Sequence, residues 1–109
     1  SLSGASRLTI KYVPWIQKAT FSGTTVTIKL TEQAAAANTD VVTESNPLAK
    51  CIVIGTANPT AATISEGSIS CTMSSAPSAG DKVQIGADTL KNDKAIQTGV
   101  LTASLEAAA

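Results

Sequence analysis

The sequence predicts an all-β protein: a small, disulfide-clamped antiparallel sheet or sandwich of six to seven short strands, with at most one short helical turn. Three observations predict this class. Short segments alternate apolar and polar residues, Thr, Ser, Val and Ile dominate those segments, and Gly, Pro, Asn and Asp separate them. The length of 109 residues suits one domain, residues 1–109, with a modest core.

The first predicted strand is RLTIKYV, Arg7–Val13, which alternates cleanly. Pro14 interrupts its ladder, so a second strand should begin near Trp15. A tight turn follows at Ser22-Gly23. The run TTVTIKLT after it is the clearest strand of the sequence, with these residues inward: Val26, Ile28 and Leu30.

The middle of the sequence is less regular. The four alanines in Glu32–Asn38 favour a helical turn, and a polar loop extends to Pro47. Beyond the cysteines, a turn is expected at Ala76–Asp81, a short strand in KVQIGA, and a last strand over Ala95–Ala103, with a bulge at Gly99.

Two cysteines suggest a clamped hairpin. When residues whose numbers sum to 122 are paired about Ala61, Cys51 faces Cys71 and Val53 faces Ile69. Opposite residues of an antiparallel pair have Cβ atoms about 4.5–5.5 Å apart, which is close to disulfide reach. The spacing therefore predicts a disulfide between Cys51 and Cys71.

A disulfide would place the protein in an oxidising compartment, the periplasm or the cell surface. It would also help to stabilise a thin core, because only 3% of the residues are aromatic. The alternative is a cytosolic protein with two buried free thiols.

Composition argues against several functions. Without histidine there is no Ser-His-Asp triad, no Cys-His pair and no histidine metal ligand, so neither an enzyme nor a metal or cofactor site is expected. Eight basic residues balance eight acidic ones without a basic patch, which argues against nucleic acid as a partner. No apolar run is long enough to span a bilayer.

Large apolar residues crowd into one early segment, residues 7–16, which is the predicted partner interface. Its members are Leu8, Ile10, Tyr12, Val13, Trp15 and Ile16. For Trp15 three roles stay open: core packing, a protein interface, and stacking on a sugar.

The segments TTVTIKLTEQAAAANTD and CIVIGTANPTAATISEGSISC, in a chain rich in Ala, Ser, Thr and Gly, resemble the globular head of type IV pilins. Ordinary pilins begin with a long apolar helix, whereas this sequence begins SLSGASRLTI. It is therefore most similar to the separate globular chain of a Geobacter-type split pilin, in which a short helical chain and a globular chain assemble into one filament.

The resemblance implies a structural subunit of a periplasmic or extracellular filament. Its partners would be a helical pilin chain, covered by the early segment, and neighbouring copies of itself. Two other classes remain open: a secreted Ig-like or adhesin-type binding domain, and a viral tail or coat decoration subunit.

Overall fold

The structure, a computed structural model, describes residues 14–31, 35–36, 47–87, 89–91 and 99–108. The predicted strand Arg7–Val13 lies outside these ranges. The described residues form nine strands and one helical turn: β1 (Ile16–Ser22), β2 (Thr25–Leu30), β3 (Ala35–Ala36), α1 (Pro47–Lys50), β4 (Ile52–Ile54), β5 (Ala61–Ser65), β6 (Ser68–Thr72), β7 (Lys82–Ile85), β8 (Leu90–Lys91) and β9 (Leu101–Ala107).

Seven of the strands form one curled sheet in the order β4-β7-β9-β1-β2-β6-β5, and β3 pairs with β8 separately. The prediction of a mostly β fold is confirmed, and the main sheet is a single curled layer. The prediction of a purely antiparallel sheet is wrong, because β1 and β9 pair in parallel. Local sequence signals predict hairpins between successive strands, and they say nothing of a late strand that returns beside the first one.

The β1–β2 hairpin follows the sequence pattern closely. Gly23 has a positive φ of 58° at the tight turn, where a residue with a Cβ atom would be strained. The strand after the turn buries every second residue, as predicted: Val26, Ile28 and Leu30. On its other face the threonines and Lys29 are exposed.

The second hairpin is β5–β6, closed by Glu66 and Gly67. Both turn residues have positive φ, 48° and 81°, which is the pattern of a type I′ turn. The register of this hairpin places Ala62 opposite Cys71 and Ile64 opposite Ile69, so that apolar side chains share the inner face.

Replacing Glu66 with asparagine is expected to stabilise the protein. A non-glycine residue at positive φ is strained by about 1–2 kcal/mol, and asparagine tolerates this conformation better than glutamate does. The free energy of unfolding in urea should rise by roughly 1 kcal/mol. Replacing the exposed Ser65, which lies outside the positive-φ positions, with asparagine is the control, and an equal gain there would contradict the turn explanation.

The predicted disulfide is wrong, because Cys51 and Cys71 are both free thiols. The predicted pairing put Ile52 and Ile54 on the face opposite Ile69. In the fold all three of these isoleucines are buried, which turns Cys51 outward while Cys71 points into the core. β4 pairs with β7 instead of β6.

Among the described residues, the helical turn is not where the alanines predict it. Ala35–Ala36 form β3, whereas α1 begins at Pro47, a residue suited to a first helical position. The Asn58 side chain then donates a hydrogen bond of 2.6 Å to the Ile52 carbonyl. It therefore fastens the loop after β4 to that strand instead of closing the predicted hairpin.

Residues 95–98 of the predicted last strand lie outside the described ranges. β9 begins at Leu101, and Gly99 precedes it rather than forming a bulge within it. The predicted turn at Ala76–Asp81 and the strand with Val83 and Ile85 inward are both confirmed. Buried side chains from β4 at one edge to β5 at the other belong to a single apolar cluster, so the sheet curls around one core.

Candidate functional site

Trp15 lies immediately before β1, and two hydrogen bonds hold its backbone in place. Its N–H donates to Thr31 Oγ1 at 3.1 Å, and the Thr31 N–H donates to the Trp15 carbonyl at 2.9 Å. The side chain is nevertheless 57% exposed. The protein therefore holds a large amphipathic ring in the solvent on a backbone that is already ordered.

The rest of the predicted interface divides into two groups. Ile16 is half-buried and packs against the core, because neighbouring residues of a strand point to opposite faces. Four predicted members lie outside the described residues: Leu8, Ile10, Tyr12 and Val13. Of the two members described, only Trp15 is exposed.

Val100 is a second exposed apolar residue at the same end of the sheet as Trp15. It directly precedes β9 and is 56% exposed. Because β1 and β9 run parallel, both strands begin at this end. We call Trp15 and Val100 the Trp15 patch. The sequence analysis missed Val100. Alternation could have identified it, because Leu101 and Ala103 face the core and the residue before Leu101 must then point outward.

Val53 is the third large apolar residue that is exposed among those described, at 36%. It projects from β4, which is an edge strand of the main sheet. Two strands, β7 and β9, lie between β4 and β1. This residue is therefore a natural comparison for the Trp15 patch, being apolar and exposed but differently placed.

The two thiols differ strongly in environment. Cys71 is fully buried within β6, and burial raises the pKa of its thiol to about 11. Cys51 is exposed between α1 and β4, and its carbonyl accepts a hydrogen bond of 2.9 Å from the Gly86 N–H. A thiol with so high a pKa is a poor nucleophile, so Cys71 is a core residue.

An open depression of about 260 Å³ lies between Ile54–Ala57, Met73, Ser75–Pro77 and Asp81. Among the described residues Asp81 is the one ionisable residue of its lining, and its carboxylate accepts a 3.0 Å hydrogen bond from the Ser78 N–H. The carboxylate is thus used to hold the turn before β7, and the described lining offers no second titratable group for acid–base chemistry.

Within the ranges that the structure describes, no three residues among His, Cys, Asp and Glu are grouped to bind a metal ion. Over the same ranges no helix has the length and hydropathy needed to cross a membrane.

Comparison with protein-family models, curated proteins and solved structures finds no match for this chain. Its function must therefore be argued from its own residues, and the Trp15 patch is the feature that most resembles a binding site.

Proposed function

We propose that this chain is a structural subunit that docks a partner through the Trp15 patch. The assembly is an extracellular or periplasmic filament of the type IV pilus kind, in which the chain covers a separate helical pilin chain. The observation that carries the proposal is a tryptophan that is 57% exposed although its backbone is held at both its N–H and its carbonyl.

The energetics of such a site favour protein association. Tryptophan is among the residues most enriched at interface hot spots, and burying its ring removes a large apolar area from water. The ordered backbone reduces the entropy lost on binding. An apolar stripe on a helix is a suitable partner, because it presents side chains at regular spacing to a small apolar patch such as Trp15 and Val100.

The extracytoplasmic location is part of this proposal and draws on the pilin resemblance. It does not draw on the cysteines, since both are free thiols. Copies of the chain would meet one another and the solvent through the outer face of the sheet, where Thr and Ser predominate.

A secreted adhesin-type binding domain is the second candidate. The observation that favours it is the same outer face, whose exposed hydroxyl side chains are continuous across the sheet from Thr102 on β9 to Thr63 on β5. An adhesin domain would stay monomeric and would keep Trp15 in solvent, whereas a filament subunit would bury Trp15 against its partner.

The proposal is tested with the only tryptophan of the sequence, which serves as its own fluorescent probe. The chain is co-expressed with the helical chain of a split-pilin system, and filaments are purified. In the isolated chain Trp15 should be quenched readily by acrylamide, and in filaments it should be protected. Trp15→Ala should lower incorporation about tenfold or more, as expected when a hot-spot residue is truncated.

Val53→Ser is the matched control, because it also removes an exposed apolar side chain, and it should incorporate normally. Circular dichroism should show both variants folded. A chain that stays monomeric with Trp15 accessible, or a Trp15→Ala variant that enters filaments as efficiently as the wild type, contradicts the proposed interface.

A further inference from the structure

The outer face of the curled sheet is almost entirely polar. Residues that alternate with the core positions on β7, β9, β1, β2, β6 and β5 point outward, and most of them carry hydroxyl groups. We call this surface the polar face. Its hydroxyl residues are Thr20, Ser22, Thr25, Thr27, Thr63, Ser65, Ser68, Ser70, Thr72, Thr102 and Ser104.

Three lysines lie in one row across the polar face. Lys82 on β7 is paired with Ser104 on β9. Lys18 on β1 lies beside that serine, since the next residue along each strand forms the pair Ala19–Leu105. Lys29 on β2 is directly opposite Lys18.

The spacing of this lysine row follows from sheet geometry. Adjacent strands are about 4.8 Å apart, which places Lys82 about 10 Å from Lys18 at the backbone. The Cβ atoms of Lys18 and Lys29 are about 5 Å apart, the distance of directly opposed residues. Three cationic groups therefore follow one line perpendicular to the strands.

The row has no ion-pair partner in the part of the chain that the structure describes: no ion pair there involves Lys18, Lys29 or Lys82. Glu106 is the one acidic residue that the described strands place on the polar face, next to Thr20. Glu66 lies in the β5–β6 turn, and the Asp81 carboxylate is held by Ser78. Among the described residues of the polar face, three lysines therefore stand against one acidic residue, Glu106.

The opposition of Lys18 and Lys29 is itself unfavourable. Like charges directly across an antiparallel pair destabilise a sheet, and this pair lies at a bulge in β1. Sites where a sequence departs from the locally favourable choice are often sites of function. An anionic ligand placed over the row would relieve the repulsion.

We infer that the polar face binds a linear acidic polysaccharide, whose carboxylate or sulfate groups lie along the lysine row. The hydroxyl side chains of Thr20, Thr27 and Ser70 form the adjacent row and both donate and accept hydrogen bonds with sugar hydroxyl groups. This site uses other residues than the Trp15 patch, and the inference does not depend on the proposed filament.

Other polyanions fit the polar face less well. Nucleic acids are bound largely by arginine and many phosphate contacts, and the described strands place no arginine on this face. Anionic membranes usually need apolar side chains that enter the lipid, and neither the lysine row nor the adjacent row of Thr20, Thr27 and Ser70 carries one.

Isothermal titration at low ionic strength tests the inference with five probes: polygalacturonate, dextran sulfate, neutral dextran, duplex DNA and phosphatidylglycerol vesicles. The chain should bind polygalacturonate or dextran sulfate, and the comparison of the two identifies the preferred acidic group. Binding should weaken with added salt, and neutral dextran should not bind.

Lys18→Gln, Lys29→Gln and Lys82→Gln should each lower the affinity about two- to threefold, and the triple variant about tenfold or more. Lys50→Gln makes the same charge change on α1, outside the row, and should leave the affinity unchanged. Thermal unfolding should show that Lys18→Gln is at least as stable as the wild type, because it removes a like-charge contact.

Three results would overturn the inference: no binding to either acidic polysaccharide, equal loss of affinity in Lys50→Gln and Lys18→Gln, or tighter binding to duplex DNA or vesicles than to the polysaccharides. Each is separable from a failure of the proposed filament, which is measured through Trp15.

Discussion

Replacing Ile28 with alanine is expected to lower the free energy of unfolding by about 2–5 kcal/mol, the range measured for truncation of a fully buried isoleucine. Ile28 is at the middle of β2 and has no exposed surface. It is paired with Ala19 on one side and with Ile69 on the other, so the cavity would open where the sheet's inner face is continuous. Urea unfolding followed by circular dichroism measures the loss.

The matched control for Ile28→Ala is Thr27→Ala on the same strand. Thr27 points outward and is exposed, so its truncation should change stability by no more than about 0.5 kcal/mol. Because the aromatic content is low, other side chains have little bulk with which to refill the cavity. A loss below 1 kcal/mol for Ile28→Ala would show that the core does not lie where the fold puts it.

The second large effect concerns the thiols. Iodoacetamide should label native Cys51 and leave Cys71 unreacted, whereas both should react in urea. A pKa of about 11 instead of 9.0 reduces the thiolate fraction of Cys71 about 100-fold near neutral pH, and the core also excludes the reagent. Mass spectrometry of alkylated peptides distinguishes the two sites. An intact Cys51–Cys71 disulfide in the native protein would contradict the fold.

The raised pKa of the Cys71 thiol predicts that the free energy of unfolding depends on pH. Folded Cys71 keeps its proton up to pH about 11, whereas the unfolded chain loses it near 9.0. Between these values the unfolded state binds fewer protons, so stability falls as pH rises, by roughly 2–3 kcal/mol in total. Below pH 9 this contribution is constant.

Cys71→Ala should remove the slope between pH 9 and 11, and Cys51→Ala should retain it. Comparing variants cancels the titration of lysine and tyrosine side chains, which is common to all of them. An unchanged slope in Cys71→Ala would show that the buried thiol does not titrate in this range.

Alternation predicted β2 correctly because one face of that strand is buried and the other is exposed along its whole length. The hairpin register failed for a different reason. Pairing about Ala61 places Cys51 opposite Cys71, whereas pairing about Glu66-Gly67 places Ala62 there, and the sequence offers a turn at both positions. The positive φ angles at the second turn and the burial of Ile52 and Ile54 decide between them, and both are properties of the folded chain.

Of the two candidate sites, one could be predicted in part from the sequence and the other could not. Trp15 was predictable as the largest apolar side chain of a crowded segment, but its exposure was not, because it depends on the neighbouring Ile16 packing against the core. The lysine row was not predictable. Lys18, Lys29 and Lys82 come from three separate segments of a sequence with balanced charge, and only the pairing of β7, β9, β1 and β2 aligns them.

The parallel ladder between β1 and β9 joins two parts of the sheet, β4-β7-β9 and β1-β2-β6-β5. Tension between the segment before Ile16 and the segment after Ala107 pulls these strands along their lengths in opposite directions. The ladder is then loaded in shear, so that its hydrogen bonds resist together instead of opening one after another. A sheet built this way resists stretching along that axis better than peeling at either edge strand.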